Sequence, residues 1–600
     1  MGDPVPKADL TELAGRLERD LGDPHDPTSR MPYTRVLEHD EHEDHPYEFV
    51  HLLQRWGALD YSLPRAQGGK AGDMEIAFNL TRLIARRDPT TATAFIITSL
   101  SFLPAWVAGT DAQKRTLVDS IRRGNRYAWG LSEPQYDSDL AANEVTAEKT
   151  DGGYLLTGKK WLVGNGSVAD GLGVYARTDP RGGPGGYSVF VLDKRQTPAG
   201  AVNDLPRERM HGLRGLDVSG FRLDRVFVPD SALLGHEGQG LEIALKTSQT
   251  AGTLISGIAL SAVDTGLRVT LDFTEGRTAL GRTVSDAPYC RRQLTECFAD
   301  LMVADAVSLG AVRALQVVPE QTGVWSSVVK YFVPTLLERT FTQLNVVLGA
   351  RFYLRDHPHY AIHQKMLRDL PVATFADGNA VGNLRNIALR LEGLLTTAAT
   401  ADQGLLDEAG ERAAVLFGID RRLPLYRPWD QQLNNLGRDD ALLAAPAALV
   451  QLRRLAADAK PDERDRLTRA AATAEQLLAG ADSLRERVTS LKDSLGSEYG
   501  QSAELFDLAK EYCLLHAAAA CVHTHVHSAA ALEEPLPSGA LLLLQMERIR
   551  RHLRPHEAVT DAGVVNDVMR VLRYLYRKNR LFSYWQFPLA ERGDLRAAGL

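Results

Sequence analysis

The sequence predicts a mostly α-helical protein with a central β domain, and three observations carry that prediction. Apolar residues recur at helical spacing from about 46 to 128 and again from about 238 to 395. Between Gly130 and Gly235 the pattern becomes a series of short alternating runs, EVTAEKT, GYLLTGKKWL, GLGVYAR, YSVFVLD and FRLDRVFV, divided by glycine-rich turns. The stretch RRLPLYRPWDQQLNNLGRDD (Arg421–Asp440) then breaks the helical pattern, and an amphipathic Ala/Leu/Arg-rich region runs from 441 to about 582.

Taken in order, residues 1–45 read as a polar N-terminal tail. Its HDEHEDH run (His39–His45) has metal-ligating residue types but the composition of a solvated acidic segment. Residues 46–128 form an N-terminal helical domain, with breaks at Pro64 and Gly68-Gly69 and a polar-started helix in GTDAQKRTLVDSIRRG (Gly109–Gly124). The central β domain covers 129–236. Its GGPGG (Gly182–Gly186) lies between two strands and lacks the helix that a phosphate loop requires, so it reads as a turn. A helical bundle spans 237–400, a linker 401–440, and an extra helical domain 441–600.

Six hundred residues exceed one compact core, and three or four units are expected. With 44% hydrophobic and 24% charged residues the composition is that of a globular protein, and a net charge of -7 argues against a dedicated nucleic-acid binder. The four cysteines, Cys290, Cys297, Cys513 and Cys521, form no CxxC pair and read as reduced, buried thiols of a cytoplasmic protein. The first residues, with Asp3, Lys7 and Asp9, lack the apolar core of a secretory signal, and no apolar run is expected to approach membrane-spanning length, the longest lying at Leu541–Leu544. EYCLLHAAAACVHTHVH (Glu511–His527) reads as a packed alanine-rich helix rather than a zinc or haem site. RVLRYLYRKNRLFSYWQF (Arg570–Phe587) places Arg570, Arg573 and Arg577 on one helical stripe. The readings of that stripe are a bundle helix with solvated arginines, a nucleic-acid contact, a peripheral membrane contact, and docking of an acyl carrier protein or of CoA phosphates.

A set of short motifs in fixed order carries a family resemblance. WGLSEPQYDSD (Trp129–Asp139) resembles the T-E-P-x-x-G-S-D signature of acyl-CoA dehydrogenases. LDYSLPRAQGGKAG (Leu59–Gly72), GTDAQK (Gly109–Lys114), LTGKKWLVGN (Leu156–Asn165), VFVPDSALLGHEGQG (Val226–Gly240), RTALG (Arg277–Gly281) and LGARFYLRDHP (Leu348–Pro358) resemble that family's further landmarks. FADGN (Phe375–Asn379) falls where the family has Y-E-G-T. The resemblance implies a helical domain, a β-barrel or sandwich domain and a four-helix bundle holding FAD. It also implies α,β-dehydrogenation of an acyl thioester, on CoA or an acyl carrier protein, by α-proton abstraction and β-hydride transfer to flavin N5. Electron-transfer flavoprotein or O2 would be the acceptor, and the chain at least a homodimer.

Position by position, the resemblance implies that Trp129, Leu131 and Ser132 contact the isoalloxazine ring and that Ser138 lies near flavin phosphate or the thioester chain. Arg277 would reach the FAD pyrophosphate of a neighbouring subunit. Asp377 would be the base, its own backbone N–H holding the thioester carbonyl, with Asn379 beside it in the FADGN stretch. From the residues alone, Asp-Gly-Asn ahead of an apolar helical pattern is a turn and a helix cap.

The sequence departs from the family at several of these places. Leu162-Val163-Gly164 replaces W-I-T, removing an indole and a hydroxyl, and Trp161 is one residue out of phase. Leu280 stands for the phenylalanine of R-x-x-F-G, and Val346 and Ala350 stand for the glutamine and second glycine near the FAD adenosine. Asp377 is one methylene shorter than glutamate. Some relatives carry the base on an earlier helix, but the matching stretch here has Ala251 and Gly252 and offers no replacement. These changes leave two further readings open: a flavin oxidase or monooxygenase on the same fold, and a non-catalytic family member.

Overall fold

Among the described residues, six α-helices precede the sheet: α1 (Lys7–Leu21), α2 (Tyr33–His42), α3 (Tyr47–Trp56), α4 (Met74–Ala85), α5 (Pro89–Ala108) and α6 (Asp111–Arg122). They belong to a computed structural model that describes residues 7–136, 139–279, 281–376, 378–555 and 561–593. α5 starts where Asp88 accepts from the Thr90 and Thr91 amides at 3.1 and 2.9 Å and Pro89 occupies the first turn. GTDAQK is a capping box in which the Thr110 and Gln113 side chains satisfy each other's amides. Gln113 Nε2 also donates to the Ser231 and Leu233 carbonyls at 2.8 Å each, tying α6 to the exit of the sheet.

The sheet contains β1 (Tyr127–Gly130), β2 (Thr146–Thr150), β3 (Gly153–Gly164), β4 (Gly171–Arg177), β5 (Tyr187–Asp193), β6 (Val202–Leu205), β7 (Val218–Pro229) and β8 (Leu233–Leu234). The order is β6-β7-β3-β2-β4-β5-β8, with β1 added parallel to β4. It encloses its own apolar cluster, including Tyr154, Leu156, Leu172, Phe190 and Phe221. The alternating runs form these strands because every second residue enters that cluster.

The helical region continues with α7 (Gly240–Leu254), α8 (Ser256–Gly276), α9 (Pro288–Val317), α10 (Thr322–Leu348), α11 (Ala361–Asp369), α12 (Val372–Phe375), α13 (Ala380–Ala388), α14 (Leu391–Thr400) and α15 (Gln403–Phe417). Beyond them lie α16 (Asp440–Leu443), α17 (Ala445–Asp458), α18 (Pro461–Leu478), α19 (Gly480–Leu495), α20 (Ala503–Ser528), α21 (Ala540–Leu553) and α22 (Ala562–Arg577). One apolar core runs from Leu10 through the α8–α10 bundle to Phe587, so the C-terminal helices share the bundle's core.

Four expectations are corrected. Residues 7–45 are no tail: α1 and α2 bury Leu17, Leu21, Tyr33 and Val36. Three acids of HDEHEDH are met by distant partners, Asp40 by Arg368, Glu41 by Arg355 and Glu43 by Arg209, and His39 Nε2 lies 2.8 Å from Glu48. Residues 401–440 are no linker throughout, because α15 buries Ala409, Ala413, Leu416 and Phe417. Two stretches, Pro89–Ala108 and Gly240–Gly276, are long and apolar enough to cross a membrane by length and composition, although the fold buries most of the first and all of the second. Arg573 of the basic stripe is not solvated, since it pairs with Glu275 and Asp286 at 2.8 and 2.9 Å. In α20, His516 Nδ1 lies 2.8 Å from Asp439 and His523 Nε2 3.0 Å from the Ala441 carbonyl.

Residues 580–593 form a strap across the core, held by buried carboxylates. Asp305 accepts from Arg82 Nη1 at 2.5 Å and from the Ser583 hydroxyl and Tyr584 amide at 2.9 Å each. Asp264 takes Arg86, Arg268 and the Phe582 amide, Glu75 takes Arg313 and the Trp585 indole, and Glu18 takes Arg87 and the Ala590 amide. Asp305→Asn leaves the fully buried Arg82 guanidinium without its counter-charge, and urea denaturation is expected to show a loss of about 3 kcal/mol.

Burial pushes His363, on α11 beside Asn345, down to about 3. Its folded value lies below the ordinary 6.5, so the unfolded chain takes up this proton first, and stability falls as pH drops from about 6.5 towards 3. Between pH 7 and pH 5 this histidine is expected to cost ~2 kcal/mol. His363→Gln is expected to shrink the pH dependence of the urea midpoint by that amount.

Candidate functional site

The site begins at the C-terminal end of β1. Trp129 pairs with Gly173 on β4, and a Cβ at Gly173 would stand 2.8 Å from the indole Cε3, so the absent side chain lets the ring lie against that strand. After β1 the chain turns outward, and two carbonyls are pinned. Leu131 O accepts from Asn143 Nδ2 at 2.7 Å and Lys160 Nζ at 3.1 Å, and Ser132 O accepts from the Trp161 amide at 3.1 Å.

Beneath this turn lies a buried ion pair. Glu133 accepts from Lys160 Nζ at 2.8 Å and from the Val145 and Glu144 amides at 3.0 and 2.8 Å. Lys160 shares the inner face of β3 with Tyr154 and Leu156 and is fully buried. Desolvation pushes its ammonium down to about 8, and the Glu133 charge opposes that shift. The pair fixes the backbone of Leu131 and Ser132 from below.

A bulge reorients the end of β3. The register shifts between Trp161 and Val163, and Leu162 adopts a left-handed φ of 54°. Val163 thereby enters the sheet core, Leu162 is 45% exposed, and Trp161 turns outward to donate to Glu208 at 2.7 Å. Gly164 faces α5, where an added Cβ would lie 2.6 Å from Ile97 Cδ1. Ile97 thus fills the place beside Gly164.

Two further groups lie on the bundle. Arg277 is exposed at the end of α8, its guanidinium 5.6 Å from the Phe273 ring, which Arg351 also covers at 4.5 Å. This shared ring brings Arg277 beside the Gly349–Tyr353 turn that carries exposed Ala350 and follows Val346, 62% exposed on α10. Asn379 caps α13, its Oδ1 accepting from the Gly382 amide at 2.7 Å. Asp377, Ser138 and Leu280 lie outside the described residues. Next to the Asp377 segment, Lys330 on α10 donates to the Ala373 carbonyl at 2.8 Å and to the Ala376 carbonyl.

The structure therefore brings Trp129, Leu131, Ser132, Leu162 and Gly164 together at the β1 and β3 ends, and Arg277, Val346 and Ala350 together at one end of the bundle. Sequence reasoning missed Glu133, Lys160, Ile97 and Lys330. A signal existed for Lys160: it takes an inward turn in an alternating strand where an apolar residue is expected. Also missed was Tyr426, from the irregular stretch after α15, whose hydroxyl lies 2.7 Å from Thr250 Oγ1 on α7 and whose ring meets Trp106 of α5 edge-on. That stretch therefore packs across α5 and α7, beside Ala251 and Gly252.

Three family models match the chain in order: acyl-CoA dehydrogenase N-terminal domain over residues 30–125, middle domain over 128–226 and C-terminal domain over 238–392. An acyl-CoA dehydrogenase of Bacillus subtilis (strain 168) is 25% identical over 352 residues, which is 58% of this chain and 89% of that protein. The solved butyryl-CoA dehydrogenase of Megasphaera elsdenii has a TM-score of 0.57 at 23% identity, covering 64% of this chain and 98% of its own. The structure of PigA with FAD and proline gives 0.57 at 18% identity, over 64% and 97%. The helices beyond residue 392 extend past the three matches.

The Glu133–Lys160 pair generates a double-mutant test. Glu133→Gln and Lys160→Met are each expected to cost about 3 kcal/mol, because each strands a buried charge or donor. The double variant is expected to lose less than the sum by at least ~1 kcal/mol, read from urea denaturation. Simple additivity would show that the two side chains are not coupled.

Proposed function

Since the chain belongs to the acyl-CoA dehydrogenase family, whose N-terminal, middle and C-terminal domains it matches in order, we propose that it binds FAD and dehydrogenates an acyl thioester at the α,β positions. The observation that carries this reading is the pinned turn after β1, where the residues matching the family's flavin-facing motif present two fixed carbonyls over a buried ion pair.

The chain's own polar atoms fit such a group. The Trp129 indole nitrogen and both amide atoms of Asn165 are buried with no hydrogen-bond partner among the described residues, so this end of the sheet carries polar atoms that a polar ligand would satisfy. Trp129, Leu131 and Ser132 would hold the isoalloxazine region, and Arg277, Val346 and Ala350 the adenosine-diphosphate region of a partner subunit. When bound, FAD supplies the two-electron acceptor chemistry. Asp377 takes the α-proton, and its backbone N–H steadies the thioester carbonyl as negative charge develops there. The site works between copies of the chain in this reading, and exposed Val346, Tyr353 and Leu354 beside Arg277 supply an apolar surface for a homodimer.

One observation favours a second reading, an oxidase. Neither Leu162 nor Gly164 brings an indole or a hydroxyl to the flavin-facing strand end, and Ile97 closes on Gly164. An altered hydrogen-bonding environment there fits altered reactivity toward O2.

The visible spectrum separates these readings. Purified protein is expected to be yellow and to bleach anaerobically on addition of acyl thioesters. Admitting air leaves a dehydrogenase bleached for long periods, whereas rapid recolouring with peroxide formation selects the oxidase. Protein that is colourless and cannot be reconstituted with FAD would overturn both. Asp377→Asn is expected to retain flavin and to slow bleaching by at least about a thousandfold; unchanged bleaching removes Asp377 as the base.

A further inference from the structure

The end of the strap closes over a small cavity of about 20 Å³, walled by α1, the segment that follows it, α8, and Leu589, Ala590 and Arg592 of the strap. Three polar atoms of its lining residues are buried with no hydrogen-bond partner among the described residues: Glu18 Oε1, Arg268 Nη1 and His25 Nδ1. Glu18 and Arg268 are 1% and 2% exposed. The rest of each side chain is committed. Glu18 Oε2 accepts from Arg87 at 2.9 Å and from the Ala590 amide at 3.1 Å, while Oε1 stands 3.6 Å from Arg86 Nη1, beyond hydrogen-bond reach. Arg268 gives Nε to Asp264 at 2.8 Å and Nη2 to the Arg580 carbonyl, and its guanidinium lies 4.0 Å over the Phe582 ring. The His25 ring stands edge-on to Tyr33, 5.0 Å between centroids.

A buried carboxylate oxygen and a buried guanidinium N–H each cost free energy when unpaired, and here an acceptor and a donor border one space. That pairing restricts the occupant. An anion would be repelled by Glu18, a cation by Arg268, and an apolar group would leave both unmet. Water accepts from Arg268 and donates to Glu18 through the same oxygen. Its third bond goes to His25, and either tautomer serves, because water can donate to a bare Nδ1 or accept from an Nδ1–H. Burial pushes His25 down to about 4, so at neutral pH the ring adds no further positive charge. The volume sets the number: one water needs about 10–15 Å³ of such space and makes about three hydrogen bonds when buried. We propose that this cavity is a hydration site in which a single ordered water joins Glu18, His25 and Arg268 and completes the seat of the strap. Glu18 and Arg268 also hold strap backbone, the Ala590 amide and the Arg580 carbonyl. The water therefore braces both ends of that seat.

A crystal structure of the full chain, at a resolution that shows ordered solvent, is expected to carry one peak within hydrogen-bond distance of Glu18 Oε1, Arg268 Nη1 and His25 Nδ1. Crystals soaked in sodium bromide or rubidium chloride should give no anomalous signal there. A featureless cavity overturns the proposal, and so does a bromide or rubidium peak, which would make this an ion site. Val269→Ile gives an independent readout, because Val269 lines the cavity from α8 and the substitution adds a methyl group to that wall. With the water displaced, Glu18 and Arg268 lose their shared partner, and hydrogen exchange of the strap amides is expected to quicken about tenfold. Exchange that is unchanged or slower shows that the methyl group has filled a dry space, and overturns the proposal. Should the variant not fold, the density in crystals of the unaltered chain decides alone.

Discussion

Negative charge buried among helices has to be met by something, and in this chain the meeting partners come from opposite ends of the sequence. Asp305, in the middle of α9, neutralises Arg82 from α4 and receives the Ser583 hydroxyl and Tyr584 amide from the strap. Asp264, Glu75 and Glu18 repeat the scheme one after another. An ionised carboxylate deep in a core is tolerable only with its lone pairs filled. The four acids therefore dictate where α1, α4, α8, α9 and the strap must lie. Apolar packing supplies most of the driving force, but it is non-directional, and these bonds select one arrangement of the helices. The N-terminal helices and the added C-terminal helices are thus parts of one core.

The same logic operates at smaller scale in the sheet. Glu133 and Lys160 are the charged pair inside a β core that is otherwise lined by residues such as Tyr154, Leu156 and Phe221. They fix a turn that lies on the side of the sheet facing the helices. The bulge at Leu162 then decides which residues of β3 look inward and which look toward α5. Site geometry on this chain is therefore set by one ion pair and one irregular residue, acting on strands that are otherwise regular.

Much of the architecture was legible in the sequence, because a period of two and a period near 3.6 are imposed by which side of an element meets the core. The five glycine-divided runs become β2, β3, β4, β5 and β7, while the short β6 was not read, and the motifs around Trp129 and Gly164 do meet in space. What stayed hidden is non-local. The charges of His39–His45 look solvated until Arg209, Arg355 and Arg368 are brought to them. α15 sits in a stretch whose polar neighbours mask a narrow stripe of Ala409, Ala413 and Leu416. Lys160 lies inside a motif and Ile97 within α5, away from any motif, and their partners, Glu133 and Gly164, are defined only by the folding of the sheet and the approach of α5. Lys330 stands among the apolar residues of α10, and nothing local tells that its charge is spent on carbonyls 43 and 46 residues away.

The strap also has a consequence in time. Glu18 and the Ala590 amide that it accepts are 572 residues apart, and a ribosome adding about 5–20 residues per second needs roughly half a minute to two minutes to bridge that distance. Throughout that interval the emerging helices hold acids whose final partners have not yet been made. Until then the partners of Glu18, Asp264 and Asp305 are arginines: Arg87, Arg86 with Arg268, and Arg82. The acids gain their strap partners only once residues 580–593 have been made, so synthesis of the strap, more than any helix-forming step, sets when this core can close.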